Sequence, residues 1–231
     1  VCALGACQSK SKLQPPLELT APYPQPKLLA VVPLTNESGS SNVRTDQIAD
    51  AFTEQAEQTQ NLHAVPVNRV IIAMRRLGLT SVTSPAEALS MMNALGVDGL
   101  LVGTVTAYDP YPPMKLGIAI QLFTREQSHQ QNVDPVKLTR ASTELPAPGA
   151  MNPAQPAAQA SGVFDNTNHQ TLMWVGEYAG GRHVPQSAFG PDAYLVSMDL
   201  YTQFVAYRLM SDLLTAEQMR LTSAAQASAS R

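Results

Sequence analysis

Residues 27–34 open the ordered part of the chain with a short apolar run, Leu28-Leu29-Ala30-Val31-Val32, the pattern of a buried strand. A loop rich in Ser, Asn and Gly is expected over 35–42. Ile48, Phe52 and Ala56 then recur every four residues among polar neighbours, which puts one apolar stripe on an amphipathic helix. Residues 62–67 suit a second strand. Pro66 has no N–H to give to a ladder, so that strand belongs at a sheet edge. Asn68 is expected to cap a helix carrying Val70, Ile71, Met74 and Leu77, ended by Gly78. Ser84-Pro85-Ala86-Glu87 is a capping box with proline at the first helical position, and the helix it starts carries Leu89, Met92 and Leu95 up to Gly96. Residues 97–108 and 114–123 are extended runs around Asp109-Pro110-Tyr111-Pro112-Pro113. In the second run Leu116, Ile118, Ile120 and Leu122 alternate with Lys115, Gly117, Ala119 and Gln121, so a β-hairpin with one buried face is predicted.

Over 127–162 the pattern breaks, with Pro135, Pro146, Pro148, Pro153 and Pro156 among Ala, Gln and Ser. This composition predicts a Pro/Ala-rich surface insertion. Gly162-Val163-Phe164-Asp165 reads as a short returning strand, and 171–178 as a helix stopped by Gly180-Gly181. A last helix is expected over 192–219, with Tyr194, Met198, Tyr201, Val205 and Leu209 on one face. The Ser-, Ala- and Gln-rich tail, 221–231, should fray. The fold class predicted is α/β (α+β): a small mixed sheet packed by amphipathic helices, with a long insertion. Leu29, Val31, Leu100, Val102, Ile118 and Ile120 should line the sheet, with Phe52, Leu89 and Tyr201 packed over it.

Composition changes the picture at the amino terminus. Both cysteines of the 231-residue chain, Cys2 and Cys7, lie in its first seven residues. A disulfide there would close a tiny loop and hold nothing together, and no further metal ligands lie nearby. Leu4-Gly5-Ala6-Cys7 instead has the small apolar residues of a signal-peptide end leading into a cysteine. It resembles the lipobox, where bacterial lipoproteins are cut and the new amino-terminal cysteine is acylated, with chains such as palmitate. Residues 1–6 are then a signal remnant, Cys2 leaves with them, and Cys7 carries the lipid. Residues 7–26, with Pro15, Pro16, Pro22, Pro24 and Pro26, read as an extended tether. No other stretch has the roughly 18 apolar residues of a spanning helix. Gln8 after Cys7 points to the outer membrane, by the sorting habit of such lipoproteins.

Charged residues make up only 14% of the chain and its formal net charge is −3. Arg75-Arg76 is an isolated basic pair, so there is no electrostatic footprint for nucleic acid. His63, His129, His169 and His183 are scattered without a second ligand at helical spacing, so no metal is expected. There is no Gly-x-Ser-x-Gly elbow and no His-Glu-x-x-His. Residues 176–181 are no phosphate loop, because no lysine accompanies the glycines. Asp98 and Asp109 stand eleven positions apart along a strand, too far for a carboxylate pair, and suit turn and cap roles. Tyr108 and Tyr111 have two readings, an exposed contact loop or rings covering the sheet end, and the second is the commoner. Met173, Trp174 and Tyr178 read as a helix's core face.

Three segments together resemble a known superfamily. Leu29-Ala30-Val31-Val32-Pro33-Leu34-Thr35-Asn36 is similar to the first strand of TolB amino-terminal-like domains, the CsgG–LpoB type of envelope lipoprotein. Leu95-Gly96-Val97-Asp98-Gly99-Leu100-Leu101-Val102-Gly103-Thr104-Val105 resembles its helix-end and third-strand signature, and 116–122 occupies the place of the following strand. The match covers roughly residues 27–124. The resemblance implies a small mixed α/β sandwich acting in envelope assemblies without catalysis. The stretch after Phe123 lacks the Asp and Gly turn usual there, and no segment resembles membrane-spanning pore hairpins.

These readings combine into one expectation. Residues 27–220 form a single α/β domain with an insertion at about 127–162. Cys7 anchors it to the periplasmic face of a bacterial membrane. It serves as a non-enzymatic, protein-interacting accessory without cofactor, with Tyr108 and Tyr111 as the candidate partner surface and another envelope protein as partner. The alternative is a ligand-binding or enzymatic periplasmic domain whose site is assembled from separated residues.

Overall fold

The computed structural model describes residues 15–125 and 156–229. In chain order the elements are β1 (Lys27–Val31), β2 (Thr35–Asn36), α1 (Thr45–Glu57), β3 (Leu62–Val65), α2 (Val67–Arg76), α3 (Pro85–Leu95), β4 (Gly99–Asp109) and β5 (Lys115–Thr124). After them come β6 (Ala158–Asp165), α4 (His169–Gly180), a 3-10 turn (Gly190–Leu195) and α5 (Met198–Ala229). The six strands form one mixed sheet in the order β3-β1-β4-β5-β6, with β2 also on β4. β1 pairs in parallel with β3 and β4, and β2 in parallel with β4; β4, β5 and β6 form an antiparallel meander. The predicted class, a mixed α/β sheet with helices packed on it, is the one observed.

Both faces of the sheet are covered, which the single buried face expected of the hairpin did not anticipate. On one side Leu29, Val31, Leu101, Ile118 and Ile120 meet Phe52 of α1 and Tyr201 and Phe204 of α5. On the other, Ala30, Val32, Val65 and Leu100 meet Val70 and Met74 of α2 and Met91 and Met92 of α3. Successive strand residues point to opposite faces, so Leu29 and Leu100 belong to different cores. Leu89 and Val102 are only partly buried, on the second face, and do not join Phe52 and Tyr201 over the first.

Local chemistry sets several boundaries. The Glu87 N–H donates to Ser84 Oγ at 3.3 Å and the Ser84 N–H to Glu87 Oε2 at 3.0 Å, the reciprocal cap expected. Gly96 ends α3 at φ 70°, a left-handed position that glycine adopts without a Cβ penalty. α2 begins at Val67 behind Pro66, so Asn68 lies inside the first turn and does not cap it. β3 sits at a sheet edge, as expected, but it ends at Val65, and Pro66 stands outside the ladder as the residue before α2.

Four expectations on extent are corrected. β2 lies in the segment expected as loop, with the Glu37 N–H donating to the Val105 carbonyl at 2.9 Å. The insertion expected at 127–162 overlaps β6, whose residues 158–162 pair with 118–122 of β5; positions 126–155 lie outside the described residues. The fraying tail expected over 221–231 is helical as far as Ala229. Of the extended tether expected over 7–26, residues 15–26 run along the domain, and positions 7–14 lie outside the described residues. Ala21 and Tyr23 are buried, and the Gln60 N–H donates to the Leu19 carbonyl at 2.9 Å. Residues 15–26 therefore form a strap across the helical layer. The physical reason is burial of Tyr23, whose hydroxyl reaches Glu217 of α5 at 3.2 Å.

Candidate functional site

At the end of β4 the ladder to β5 shifts register between Val105 and Ala107, and Tyr108 then pairs with Leu116. Such a bulge re-aims the strand end. Tyr108 becomes one wall of an open groove of about 230 Å³. Gln47, Asp50, Ala51 and Glu54 of α1, spaced three and four apart and so on one helix face, form the second wall with Arg44. Met198, Asp199, Thr202 and Gln203, from the first turns of α5, form the third.

Partial burial pushes the Tyr108 hydroxyl above its usual value; the charge of Asp199 adds to this and that of Arg44 opposes it. The phenol is therefore a neutral donor at physiological pH. Burial, and then the neighbouring Asp46, raises the Asp50 carboxyl. The Thr202 hydroxyl donates to the Met198 carbonyl at 2.8 Å within its own helix, which occupies it. A groove with three carboxylates, one guanidinium and a phenol is equipped to hold charged and polar groups.

The turn beyond Tyr108 is stiff. The Tyr111 N–H donates to Asp109 Oδ1 at 3.1 Å, closing an Asx turn. Pro110, Pro112 and Pro113 fix φ on either side. Below it, Met114 is fully buried and its carbonyl accepts the Asn166 N–H at 3.0 Å. Lys115 Nζ meets Asp165 Oδ2 at 2.9 Å. Tyr111 stands 71% exposed on this base. Of the two aromatics read from sequence, Tyr108 is partly buried against the core and Tyr111 is exposed.

The remaining candidates fall elsewhere. Asp98 Oδ2 accepts the Leu28 N–H at 2.9 Å and ties β1 to β4, a structural role at the far end of β4 from Asp109. Exposed His63 lies 3.7 Å from Glu57; buried His183 donates from Nδ1 to the Ala179 carbonyl at 2.9 Å. Among the described residues no group of three His, Cys, Asp or Glu could hold a metal ion, and no helix is long and apolar enough to cross a membrane. Cys7 and His129 lie outside the described residues. In α4 the buried positions are Thr171, Val175, Tyr178 and Ala179, so Met173, half exposed, is not core. Trp174 carries the Arg208 guanidinium 4.5 Å above its ring, a cation–π contact.

Sequence reasoning missed the groove's charged residues, Arg44, Asp50, Glu54 and Asp199. The signal available was the polar stripe at 47, 50 and 54 on α1, which by itself reads as an ordinary solvated face.

The chain matches no family model and no curated protein. Solved structures to which it is similar include the C-terminal domain of LpoB from Salmonella enterica, 16% identical over 47% of this chain and 76% of that one, with a TM-score of 0.37. Lipoprotein GNA1162 from Neisseria meningitidis is 17% identical over 64% of this chain and 88% of that one, with a TM-score of 0.38. The PelC dodecamer from Paraburkholderia phytofirmans is 10% identical over 86% of this chain and 93% of that one, with a TM-score of 0.37.

Proposed function

We propose that this chain is a bacterial envelope lipoprotein, anchored through acylated Cys7, whose α/β domain docks onto another envelope protein without catalysing a reaction. The docking surface is the β4–β5 turn with Tyr111 at its tip and the groove behind it. The observation that carries the reading is Tyr111, 71% exposed on a turn held by Asp109 and three prolines. A large aromatic carried on a backbone that is already held loses less entropy on binding, and Tyr is among the residues that dominate interface energy. Small-ligand pockets usually enclose about 300–1,000 Å³, more than the groove's 230 Å³. The anchor rests on Leu4-Gly5-Ala6-Cys7, and Gln8 favours the outer membrane.

Two measurements test it. Intact mass of the mature protein should show a chain that begins at an acylated Cys7, and Cys7→Ala should release the protein from membranes. A ligand-binding domain would instead show a rise in melting temperature with a small molecule, since a ligand of the native state must stabilise it.

A further inference from the structure

The strap fixes where the chain reaches the domain. Arg182 Nη2 donates to the Leu17 carbonyl at 2.7 Å. A Cβ at Gly181 would stand 2.7 Å from Pro16 Cα and 3.0 Å from the Pro15 carbonyl oxygen, so the strap's first residues lie directly on the end of α4. Cys7 is eight chain steps before Pro15. At about 3.6 Å per step those residues span at most roughly 29 Å, whatever their conformation. A lipid on Cys7 therefore keeps this part of the domain close to the bilayer.

The same region exposes apolar side chains. Val184 follows Gly181 by three residues and is 62% exposed; Leu17 on the strap is 40% exposed. The Ser187 N–H donates to the Val184 carbonyl at 2.9 Å and the Gly190 N–H to the Ser187 carbonyl at 3.2 Å. These two turns fix the backbone that leads from Val184 to Phe189, which is also 62% exposed. Charge agrees. Lys10 and Lys12 stand three and five positions after Cys7, with no carboxylate between Cys7 and Glu18, so an anchored chain holds two cations at the headgroups. Basic groups beside a few apolar side chains are the composition of a surface that rests on anionic headgroups.

We infer that Leu17, Val184 and Phe189 form a contact surface for the anionic phospholipid layer to which Cys7 is anchored. The inference rests on Cys7 as the anchor. The strap and this surface together set the orientation of the domain, which becomes a fixed attachment lying on its membrane.

Hydroxyl-radical footprinting of the mature chain tests it, with Phe189 as probe and Tyr111 as internal control. Coupling the Cys7 thiol to a maleimide-bearing phosphatidylethanolamine in phosphatidylglycerol liposomes supplies the anchor chemically. The footprint is thus independent of natural acylation, which the intact mass of the cell-derived protein reports separately. Oxidation of Phe189 relative to Tyr111 should fall several-fold on anchoring, and Val184→Asp should restore it without changing the melting temperature. An unchanged ratio, whether both residues stay accessible or both are shielded alike, overturns the inference.

Discussion

The Tyr23 hydroxyl donates to Glu217 Oε1 at 3.2 Å across 194 positions of sequence, joining the amino-terminal strap to α5. Glu217 is fully buried, and Arg220 grips it with Nε and Nη2, each at 2.7 Å. A buried carboxylate is tolerated because these donors satisfy it. Glu217→Ala removes the buried acceptor that Tyr23 and Arg220 share, so it should cost about 3–5 kcal/mol, whereas Tyr23→Phe should cost nearer about 1 kcal/mol. Urea denaturation of both variants checks the ranking.

Gly181 adds a test of the strap that leaves the core alone. Its backbone is ordinary, at φ −96°, so alanine brings no dihedral strain. The new methyl instead meets Pro15 and Pro16 backbone. Gly181→Ala should lift the strap's start, so that limited proteolysis cuts within residues 15–19 much faster while the melting temperature falls little.

Core and surface separate at the hairpin. Ile118 is buried on β5 against the α1 and α5 side, so Ile118→Ala should cost about 2–5 kcal/mol. Tyr111→Ala should stay within about 0.5 kcal/mol of the wild type. Thermal unfolding of the two variants compares them directly.

Asp165 gives the account a pH dependence. Hydrogen bonds from Lys115, then from Thr167, hold its carboxyl down to about 2 against an ordinary value of 3.8. A carboxyl lowered in the folded state contributes stability that is complete above about pH 4 and is lost as pH falls toward 2. Asp165→Asn should flatten the stability curve across that acid window. It should lower stability at neutral pH relative to the wild type. Denaturation midpoints taken from pH 2 to 7 measure this.

Local chemistry was legible in the sequence. Ser84 with Glu87, Gly78, Gly96 and the alternation from Leu116 to Leu122 each act within a few residues, and each appears where the pattern put it. β2 was not legible, because two residues have no period; it exists through its pairing with Thr104 and Val105. The first residues of β6, Ala158 to Gly162, are small and polar and carry no strand signal of their own. They are strand because β5 offers them a ladder.

The strap failed for a related reason. Its prolines favour extended chain, which is what they form, but nothing in them says that Tyr23 will meet Glu217 or that Gln60 and Arg182 will take the Leu19 and Leu17 carbonyls. The groove joins Arg44 and Asp50 to Tyr108 and Asp199, from three separated parts of the chain. Tyr108 was nameable from its place beside a proline-rich turn. The charged residues facing it were not, because nothing in a helix's polar stripe says which element it will oppose.

In the proposed function the domain engages an envelope protein through Tyr111. That engagement is tested most directly by placing a photo-crosslinking phenylalanine analogue at position 111 in the full-length protein in living cells. Val163, on β6 and also exposed, serves as the control position. Position 111 should give one discrete crosslinked species, lost when Cys7→Ala removes the anchor, and position 163 none. No crosslink from position 111, or the same products from both positions, would contradict that engagement.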